Sequence, residues 1–180
     1  KIWHIAEKYH AALRFISVDK DRFAGLVTAG HLNTMTYFRL AVPDVFDVTI
    51  TKVLYLDCDV VVEDDIALLW DYDVSSCHLA AVADAGVEYG RNFRDTKTRL
   101  NIPSDHTVFN AGILLLNLAL WRRDAIQNKI IDFIMKNPAR IRLADQDGMN
   151  AVLWDTWQPL PLRWNLQSFL YQRLPDYPVP

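Results

Sequence analysis

Four short apolar runs along the chain alternate with polar or amphipathic segments. Each run is rich in aliphatic or aromatic residues and stops at a polar position, which is typical of buried strands. Between the runs, apolar residues recur every three or four positions, which predicts helices with one buried face. The predicted strands are 14–18, 53–56, 78–83 and 111–116, and the predicted helices are 34–41, a short helix after Asp64, a long helix from Asn117 to Asn137, and 145–153.

Prolines and short polar residues mark the predicted helix ends. Pro43 is expected to end the helix at 34–41, because proline lacks the amide hydrogen that a helix interior requires. Asp64 and Asn117 are expected to cap the helices that follow them. Strands that alternate with helices in this way predict an α/β fold with a mostly parallel sheet.

Two stretches do not fit a long regular element. Residues 86–106 are polar and too numerous for a structureless connection, so we expect a functional flap or a short helix there. Residues 157–162 predict an extended segment that Pro159 and Pro161 interrupt, and the proline-rich end of the chain predicts no element. No internal repeat, low-complexity tract or linker divides the chain.

Two aspartates follow the apolar run at 53–56. Asp57 and Asp59 lie one residue apart, and an unpaired carboxylate at the end of a buried strand is costly. A hard divalent cation prefers oxygen ligands and often bridges to phosphates, so such an ion is the partner we expect. The alternative is a simple turn, because aspartate favours turns.

Composition restricts the class of protein. The chain has 180 residues, of which 51% are hydrophobic and 23% charged, and this predicts one globular domain with a sizeable core. The net charge of −3 and the lack of a basic block argue against nucleic acid as the main partner. Two cysteines are too few for a disulfide framework and lack zinc-ligand spacing. The sequence contains no apolar run long enough to span a membrane.

Further polar residues lie near predicted strand and helix ends. Ligands of open α/β sheets bind beyond the carboxyl ends of the strands, where Asp84 follows one strand and Asn110 precedes the next. Asp145 and Gln146 open a predicted helix, whose free amides attract polar ligands. Each residue also has a structural alternative: a helix cap, a turn, a strand end or, for Arg39, a solvated charge.

Four motifs follow one another along the chain: Tyr37-Phe38-Arg39, Val53 to Asp59, Phe109 to Asn117, and Asp145-Gln146-Asp147. In this order they resemble glycosyltransferase family 8, which includes bacterial lipopolysaccharide galactosyl- and glucosyltransferases and glycogenin. The resemblance covers nearly the whole chain. It implies a GT-A fold, an α/β Rossmann-like mixed sheet flanked by helices, and transfer of a hexose from a UDP-sugar with retention of anomeric configuration.

The resemblance also implies roles for individual residues. Asp57 and Asp59 match the pair that binds manganese, or magnesium, and through it the UDP diphosphate. Gln146 matches the polar side chain nearest the anomeric carbon; an amide is a poor nucleophile, so we expect a same-face attack guided by the leaving phosphate. The implied catalytic residues are Gln146, Asp145 and Asp84, and the implied donor-binding residues are Arg39, Asp57, Cys58, Asp59, Asn110, Ala111, Asp145 and Gln146.

Two features of the family pattern are not found in residues 1–180. The resemblance implies an opening strand with an acidic residue that grips uridine, and a downstream histidine that completes the metal site. We therefore expect a single GT-A domain that is incomplete at both ends, with activity in doubt. Metal held by two carboxylates alone would bind weakly.

The expected partners are a UDP-hexose donor and a glycan or lipid-linked glycan acceptor. Residence in the cytoplasm, with peripheral association at the inner face of a membrane, is a further expectation from the family. Four aromatic residues are either core residues or a surface that stacks on sugars or faces a membrane: Trp154, Trp157, Trp164 and Tyr171.

Two other functions compete with a transferase. A phosphatase of the haloacid dehalogenase type also places Asp-x-Asp after a strand, but the motif usually lies near the start of the domain, with Thr or Gly close behind. Here Val60, Val61 and Val62 follow it. A non-catalytic module that binds a nucleotide sugar is the second alternative, and a transfer assay separates it from an enzyme.

Overall fold

The computed structural model describes residues 1–28, 34–89, 93–167 and 170 of the chain. Within them, four strands and eight α-helices alternate with short 3-10 helices. The strands are β1 Lys52–Leu56, β2 Leu79–Ala83, β3 Phe109–Asn117 and β4 Trp157–Pro159, and the α-helices are α1 Ile2–Lys8, α2 Val42–Val45, α3 Ala67–Trp70, α4 Ala85–Glu88, α5 Thr96–Leu100, α6 Leu118–Arg123, α7 Ile126–Lys136 and α8 Ala144–Leu153. The 3-10 helices are Lys20–Phe23, Thr34–Ala41, Pro138–Arg140 and Leu162–Trp164.

The four strands form a mixed sheet in the order β1-β3-β2-β4. Strand β3 is antiparallel to both β1 and β2, and only β2 and β4 pair in parallel. The expectation of a mostly parallel sheet is therefore wrong. Strands β1 and β2 do run in the same direction, but β3, which comes later in the chain, lies between them and runs the opposite way.

This topology brings three chain segments to one edge of the sheet. The carboxyl ends of β1 and β2 lie beside the amino end of β3, and each junction is fixed by a backbone hydrogen bond. The Asp57 amide donates to the Gly112 carbonyl at 2.8 Å, and the Asp84 amide donates to the Val108 carbonyl at 2.7 Å. Polar residues from separate parts of the sequence consequently meet at this edge.

A break in register between β2 and β3 lies at the same edge. Ala81 pairs with Leu114, whereas Ala83 pairs with Phe109, so that β3 carries three more residues than β2 between the two pairs. Irregularities of this kind free backbone groups and redirect side chains near functional sites. The freed segment, residues 110–112, carries two of the predicted site residues.

The core lies on both faces of the sheet because β3 alternates between them. Leu114 and Leu116 pack in the larger cluster, with α7, α8 and the 3-10 helix Thr34–Ala41, whereas Ile113 and Leu115 pack on the opposite face. This arrangement explains why the run at 111–116 is apolar at every position except Gly112. The long strand predicted there is confirmed and extends from 109 to 117.

The segment at 34–41 is helical with the predicted bounds, but it is a 3-10 helix, and α2 continues it. Pro43 lies in the first turn of α2 instead of ending the preceding helix. Proline is tolerated there because the first amides of a helix have no intrahelical partner. The role predicted for Pro43 is therefore wrong.

The long helix predicted between Asn117 and Asn137 is two helices, α6 and α7. Asn117 caps α6 as predicted, since its Oδ1 accepts a hydrogen bond from the Leu120 amide at 3.0 Å. The break lies at Ala125, whose φ of 50° is in the left-handed region and costs roughly 1–2 kcal/mol for a residue with a Cβ. Periodicity alone did not reveal this break, because apolar positions continue through it.

Two further predictions of local structure are wrong. Residues 14–18 form no strand, and Phe15 is exposed. Asp64 does not cap α3; the Oδ1 of Asp65 instead accepts a hydrogen bond from the Ala67 amide at 2.9 Å. The long polar segment at 86–106 does contain short helical structure, the end of α4 and all of α5.

The aromatic residues near the end of the chain belong mainly to the core. Trp164 is buried in the cluster that contains Ile113 and Leu115, whereas Trp157 and Trp154 pack against two other clusters. Tyr171 and the proline-rich end lie outside the described residues. In the described part of the chain, no helix has the length and apolar character needed to cross a bilayer.

Candidate active site

A cavity of about 1170 Å³ opens at the sheet edge where the three segments meet. Five predicted site residues line it: Asp57, Asp59, Asp84, Asn110 and Gln146. Arg39, Cys58, Ala111 and Asp145 are not among its lining residues. Arg39, Ala111 and Asp145 lie directly behind the cavity wall, and Cys58 is exposed between Asp57 and Asp59.

The end of β1 presents Asp57 to the cavity in a fixed orientation. The Tyr55 hydroxyl donates to Asp57 Oδ1 at 2.7 Å, and Arg39 Nη2 lies 3.1 Å from the same oxygen. Burial raises the pKa of Tyr55 above its ordinary value of 10, so its hydroxyl remains a donor at neutral pH. Because Oδ1 is held by the protein, Oδ2 is the Asp57 atom available to a ligand. The Asp59 side chain is exposed and makes no hydrogen bond with another described residue.

Arg39 connects three predicted site residues from behind the cavity wall. Its side chain is 10% exposed, stacks over the Tyr55 ring with 4.8 Å to the ring centre, and donates from Nη1 to the Ala111 carbonyl. Its Nε lies 2.8 Å from Asp145 Oδ2. The guanidinium therefore holds β1, β3 and α8 together. Direct contact between Arg39 and a UDP-sugar donor stays a prediction.

Asp145 is a buried carboxylate in the first turn of α8. Its side chain is 2% exposed, and the Thr36 hydroxyl donates to Oδ1 at 2.5 Å. Burial raises the pKa of Asp145 to about 6, although the Arg39 charge and the Thr36 hydrogen bond oppose this change. The residue pairs with Arg39 and supplies no side-chain cap to its helix, so the N-cap alternative is wrong.

Asp84, Asn110 and Gln146 form a hydrogen-bonded network on the cavity wall. Asp84 Oδ2 accepts from Asn110 Nδ2 at 3.1 Å and from Gln146 Nε2 at 2.8 Å. Its Oδ1 accepts from the Val87 amide at 2.9 Å, which makes Asp84 the N-cap of α4 as well. The Ala111 amide, freed by the break in register, donates to Gln146 Oε1 at 3.0 Å. Both polar atoms of the Gln146 side chain, Oε1 and Nε2, are thus held by hydrogen bonds.

Several other polar residues of the cavity were not among the predicted site residues. Asn165 Nδ2 donates to Asn110 Oδ1 at 2.9 Å, and Gln167 binds β2 and α4 through the Ala83 carbonyl and the Ala85 amide. They follow the extended segment around β4, where no spacing or motif marked them. Phe93, Leu143 and Arg163 also line the cavity.

Asp57 and Asp59 are the residues whose chemistry suits a divalent cation. Both carboxylates line the cavity, and Mg²⁺ or Mn²⁺ prefers such oxygen ligands. Among the residues that the structure describes, no group of three or more His, Cys, Asp or Glu side chains is arranged to hold a metal ion. The described part of the cavity thus presents two carboxylates, Asp57 and Asp59, at the end of β1.

Comparison with known proteins decides the family. The model of glycosyl transferase family 8 matches residues 1–178. The chain belongs to this family. It is 34% identical over 170 residues to general stress protein A of Bacillus subtilis, and 30% identical over 179 residues to the lipopolysaccharide 1,3-galactosyltransferase of Salmonella typhimurium. These matches cover 93% and 96% of this chain, and 57% and 51% of the two relatives.

The fold matches that of a solved family member. The galactosyltransferase LgtC, in a crystal structure with donor and acceptor sugar analogues, superposes with a TM-score of 0.76 at 32% sequence identity. The superposition covers 83% of this chain and 53% of LgtC. The predicted GT-A fold with a mixed sheet is therefore confirmed. The family also rules out the phosphatase alternative, and the chain spans about half the length of the relatives described here.

Proposed function

We propose that this family 8 chain forms part of a retaining hexosyltransferase that takes galactose or glucose from a UDP-sugar. The observation that carries the proposal is the convergence of Asp57, Asp84, Asn110 and Gln146 on one cavity. Two chemically distinct regions are available there: a pair of carboxylates at the end of β1, and a polar network ordered around Gln146. The first suits a cation and a diphosphate, and the second suits the hydroxyl groups of a sugar.

The charge of the cavity supports a cation requirement. Five carboxylates and one guanidinium line it: Asp57, Asp59, Glu63, Asp64, Asp84 and Arg163. A diphosphate that entered this cavity alone would meet an excess of like charge, which disfavours binding. Asp57 and Asp59 would hold Mn²⁺ or Mg²⁺, and when bound the ion would neutralise charge on the diphosphate leaving group.

The network around Gln146 supports attack from the face that the leaving group occupies. An amide oxygen is a weak nucleophile, and Oε1 of Gln146 already accepts a hydrogen bond from Ala111. A covalent intermediate on Gln146 is therefore disfavoured. In the alternative that we favour, the bond between the anomeric carbon and the diphosphate oxygen breaks. The acceptor hydroxyl oxygen then bonds to the same face, and its proton passes to the departing diphosphate.

Solved relatives lend support to these roles. An active-site mutant of LgtC in which glutamine is replaced by glutamate has been crystallised, and its structure superposes on 83% of this chain. We assign the corresponding chemical importance to Gln146, the glutamine of the Asp145-Gln146-Asp147 motif, whose side-chain amide Asp84 and the Ala111 amide hold in place. In this assignment Asp84 positions Gln146, while Arg39 and Asp145 hold Asp57 from behind the wall.

The acceptor that we propose is a glycan or a lipid-linked glycan, such as a lipopolysaccharide core. The similarity to a lipopolysaccharide galactosyltransferase supports it. An acceptor of this kind also fits the proposed location, the cytoplasm at the inner face of a membrane.

A turnover assay tests the proposed function. Consumption of UDP-galactose and UDP-glucose is followed with a lipopolysaccharide core as acceptor, in Mn²⁺ and in EDTA. We expect metal-dependent release of UDP, a loss of roughly 100-fold or more in Asp57→Asn, and a clear loss in Gln146→Ala. Asp105→Asn, at an exposed position, is the matched control. Metal-dependent UDP binding without release of UDP would instead support the non-catalytic module. Full turnover in Gln146→Ala would refute its role.

A further inference from the structure

Asn165 is a polar residue of the cavity to which no motif assigns a role. It directly follows the 3-10 helix Leu162–Trp164 and lies beside the break in register of β3. Its side-chain amide donates to Asn110 Oδ1 at 2.9 Å, and its backbone amide donates to the Leu162 carbonyl at 3.0 Å. The side chain and the backbone of Asn165 are therefore both held by hydrogen bonds.

The contact begins a chain of side-chain amides that leads to Gln146. Asn110 Oδ1 accepts from two donors, the Asn165 side chain and the Gly112 amide, which is 2.9 Å away. This fixes Asn110 Nδ2 toward Asp84, because a flipped amide would turn N–H groups against N–H groups. Asp84 Oδ2 accepts hydrogen bonds from both Asn110 Nδ2 and Gln146 Nε2.

Little space exists for a different arrangement at this point. A Cβ atom at Gly112 would lie 3.1 Å from Asn110 Oδ1 and 3.8 Å from Asn165 Nδ2. A side chain at position 112 would therefore press on the Asn110 oxygen at the point where it accepts both hydrogen bonds. Because Gly112 has no side chain, it leaves room for both hydrogen bonds to the Asn110 oxygen.

We propose that Asn165 is a positioning residue that orients Gln146 through Asn110 and Asp84. This inference rests on the proposed function, since it concerns the residue nearest the reacting carbon in that proposal. Without the Asn165 donor, only the Gly112 amide holds the Asn110 oxygen. The Asn110 amide is then held by fewer hydrogen bonds, and its contact with Asp84 Oδ2 becomes less constant.

The kinetic test compares Asn165→Ala and Asn165→Asp with the wild-type chain. We expect kcat to fall roughly 10-fold in Asn165→Ala, while KM for the donor changes less than about twofold, because one hydrogen bond in an ordered network is lost. Asn165→Asp is nearly isosteric but presents an acceptor to Asn110 Oδ1, so its kcat should fall further. Asn128→Asp, an exposed change of the same type on α7, should have no effect.

A double-mutant cycle identifies the route of the effect. If Asn165 acts through Asn110, then Asn165→Ala should change kcat little in a chain that already carries Asn110→Ala. A full 10-fold loss in that background would overturn the proposal. A rise in KM at constant kcat would also overturn it, since it would indicate direct contact with substrate. An Asn165→Asp variant as active as wild type would do so as well.

A separate measurement distinguishes failure of this inference from failure of the proposed function. The Asn110 side-chain amide is followed by NMR in wild type, Asn165→Ala and the control Asn128→Ala. Faster hydrogen exchange of Asn110 Nδ2 in Asn165→Ala alone is expected, whether or not the chain consumes any UDP-sugar. An unchanged Asn110 signal would refute the positioning role. Absence of turnover in wild type with Mn²⁺ would refute the proposed function only.

Discussion

The buried carboxylate of Asp145 should make the stability of the protein depend on pH in an unusual direction. Burial raises the pKa of Asp145 to about 6 in the folded chain, against an ordinary value of 3.8. Between these values the folded state binds more protons than the unfolded state, so stability must fall as pH rises. A displacement of this size corresponds to about 3 kcal/mol.

Asp145→Asn is the perturbation that isolates this effect. Asparagine keeps the shape of the side chain but does not titrate, so the titration of Asp145, which includes its charge interaction with Arg39, is present in wild type only. Unfolding free energies of wild type and variant are measured by urea denaturation from pH 3.5 to 7.5, in EDTA. The wild-type value minus the variant value should decline by about 3 kcal/mol, mostly between pH 4 and 6.5.

The same measurement includes a control variant and two outcomes that would contradict the prediction. Asp105→Asn, an exposed carboxylate, should show no comparable decline relative to wild type. A flat difference for Asp145→Asn would mean that the folded pKa is ordinary. A difference that rises with pH would mean that Arg39 favours the ionised form more strongly than burial opposes it. Either result would contradict a raised pKa of Asp145 in the folded chain.

Three further changes test the packing around the site. Gly148→Ala should lower the unfolding free energy by about 1–2 kcal/mol in urea denaturation, because a Cβ there would lie 2.6 Å from Ile134 Cδ1; a stabilised variant would contradict this. Arg99→Met should cost about 3 kcal/mol in the same assay, because it leaves the buried Asp147 carboxylate without its charged partner, and a loss below 1 kcal/mol would refute this account. Asn117→Ala should cost about 1 kcal/mol, seen as a lower thermal midpoint, since it removes the cap of α6; an unchanged midpoint would argue against the cap.

Local signals in the sequence predicted part of the site and one helix cap. Asp57 and Asp59 follow an apolar strand, and Asn117 precedes an apolar helical face, so each could be recognised within about ten residues of chain. Their surroundings match the structure because a buried strand and a helix cap are specified locally. The same holds for the strand that ends at Asp84.

Features that depend on pairing between distant segments were not predictable in the same way. The antiparallel position of β3 follows from how the chain returns after α5, and apolar runs do not encode strand direction. The pairing of Arg39 with Asp145 joins residues far apart in sequence, and neither neighbourhood indicates the other. Asn165 likewise has a role only through its contact with Asn110.

The break in register of β3 explains why the sequence predicted the site residues but not the hydrogen bonds between them. The sequence placed Asn110 and Ala111 at the start of a strand, which is correct. A regular ladder would have bound the Ala111 amide to a neighbouring strand, whereas the break leaves it to donate to Gln146. Which amides are free is a property of strand registry, and several registers suit the same apolar pattern.

Calorimetric titration of UDP into the 180-residue chain, with and without Mn²⁺, is the decisive experiment for the proposed donor site. We expect binding that requires Mn²⁺, because the cavity wall is rich in carboxylates. We also expect loss of that binding in Asp57→Asn/Asp59→Asn and its retention in Asp105→Asn. Equal binding with and without the metal, or binding that survives in the double variant, would contradict the proposed donor site.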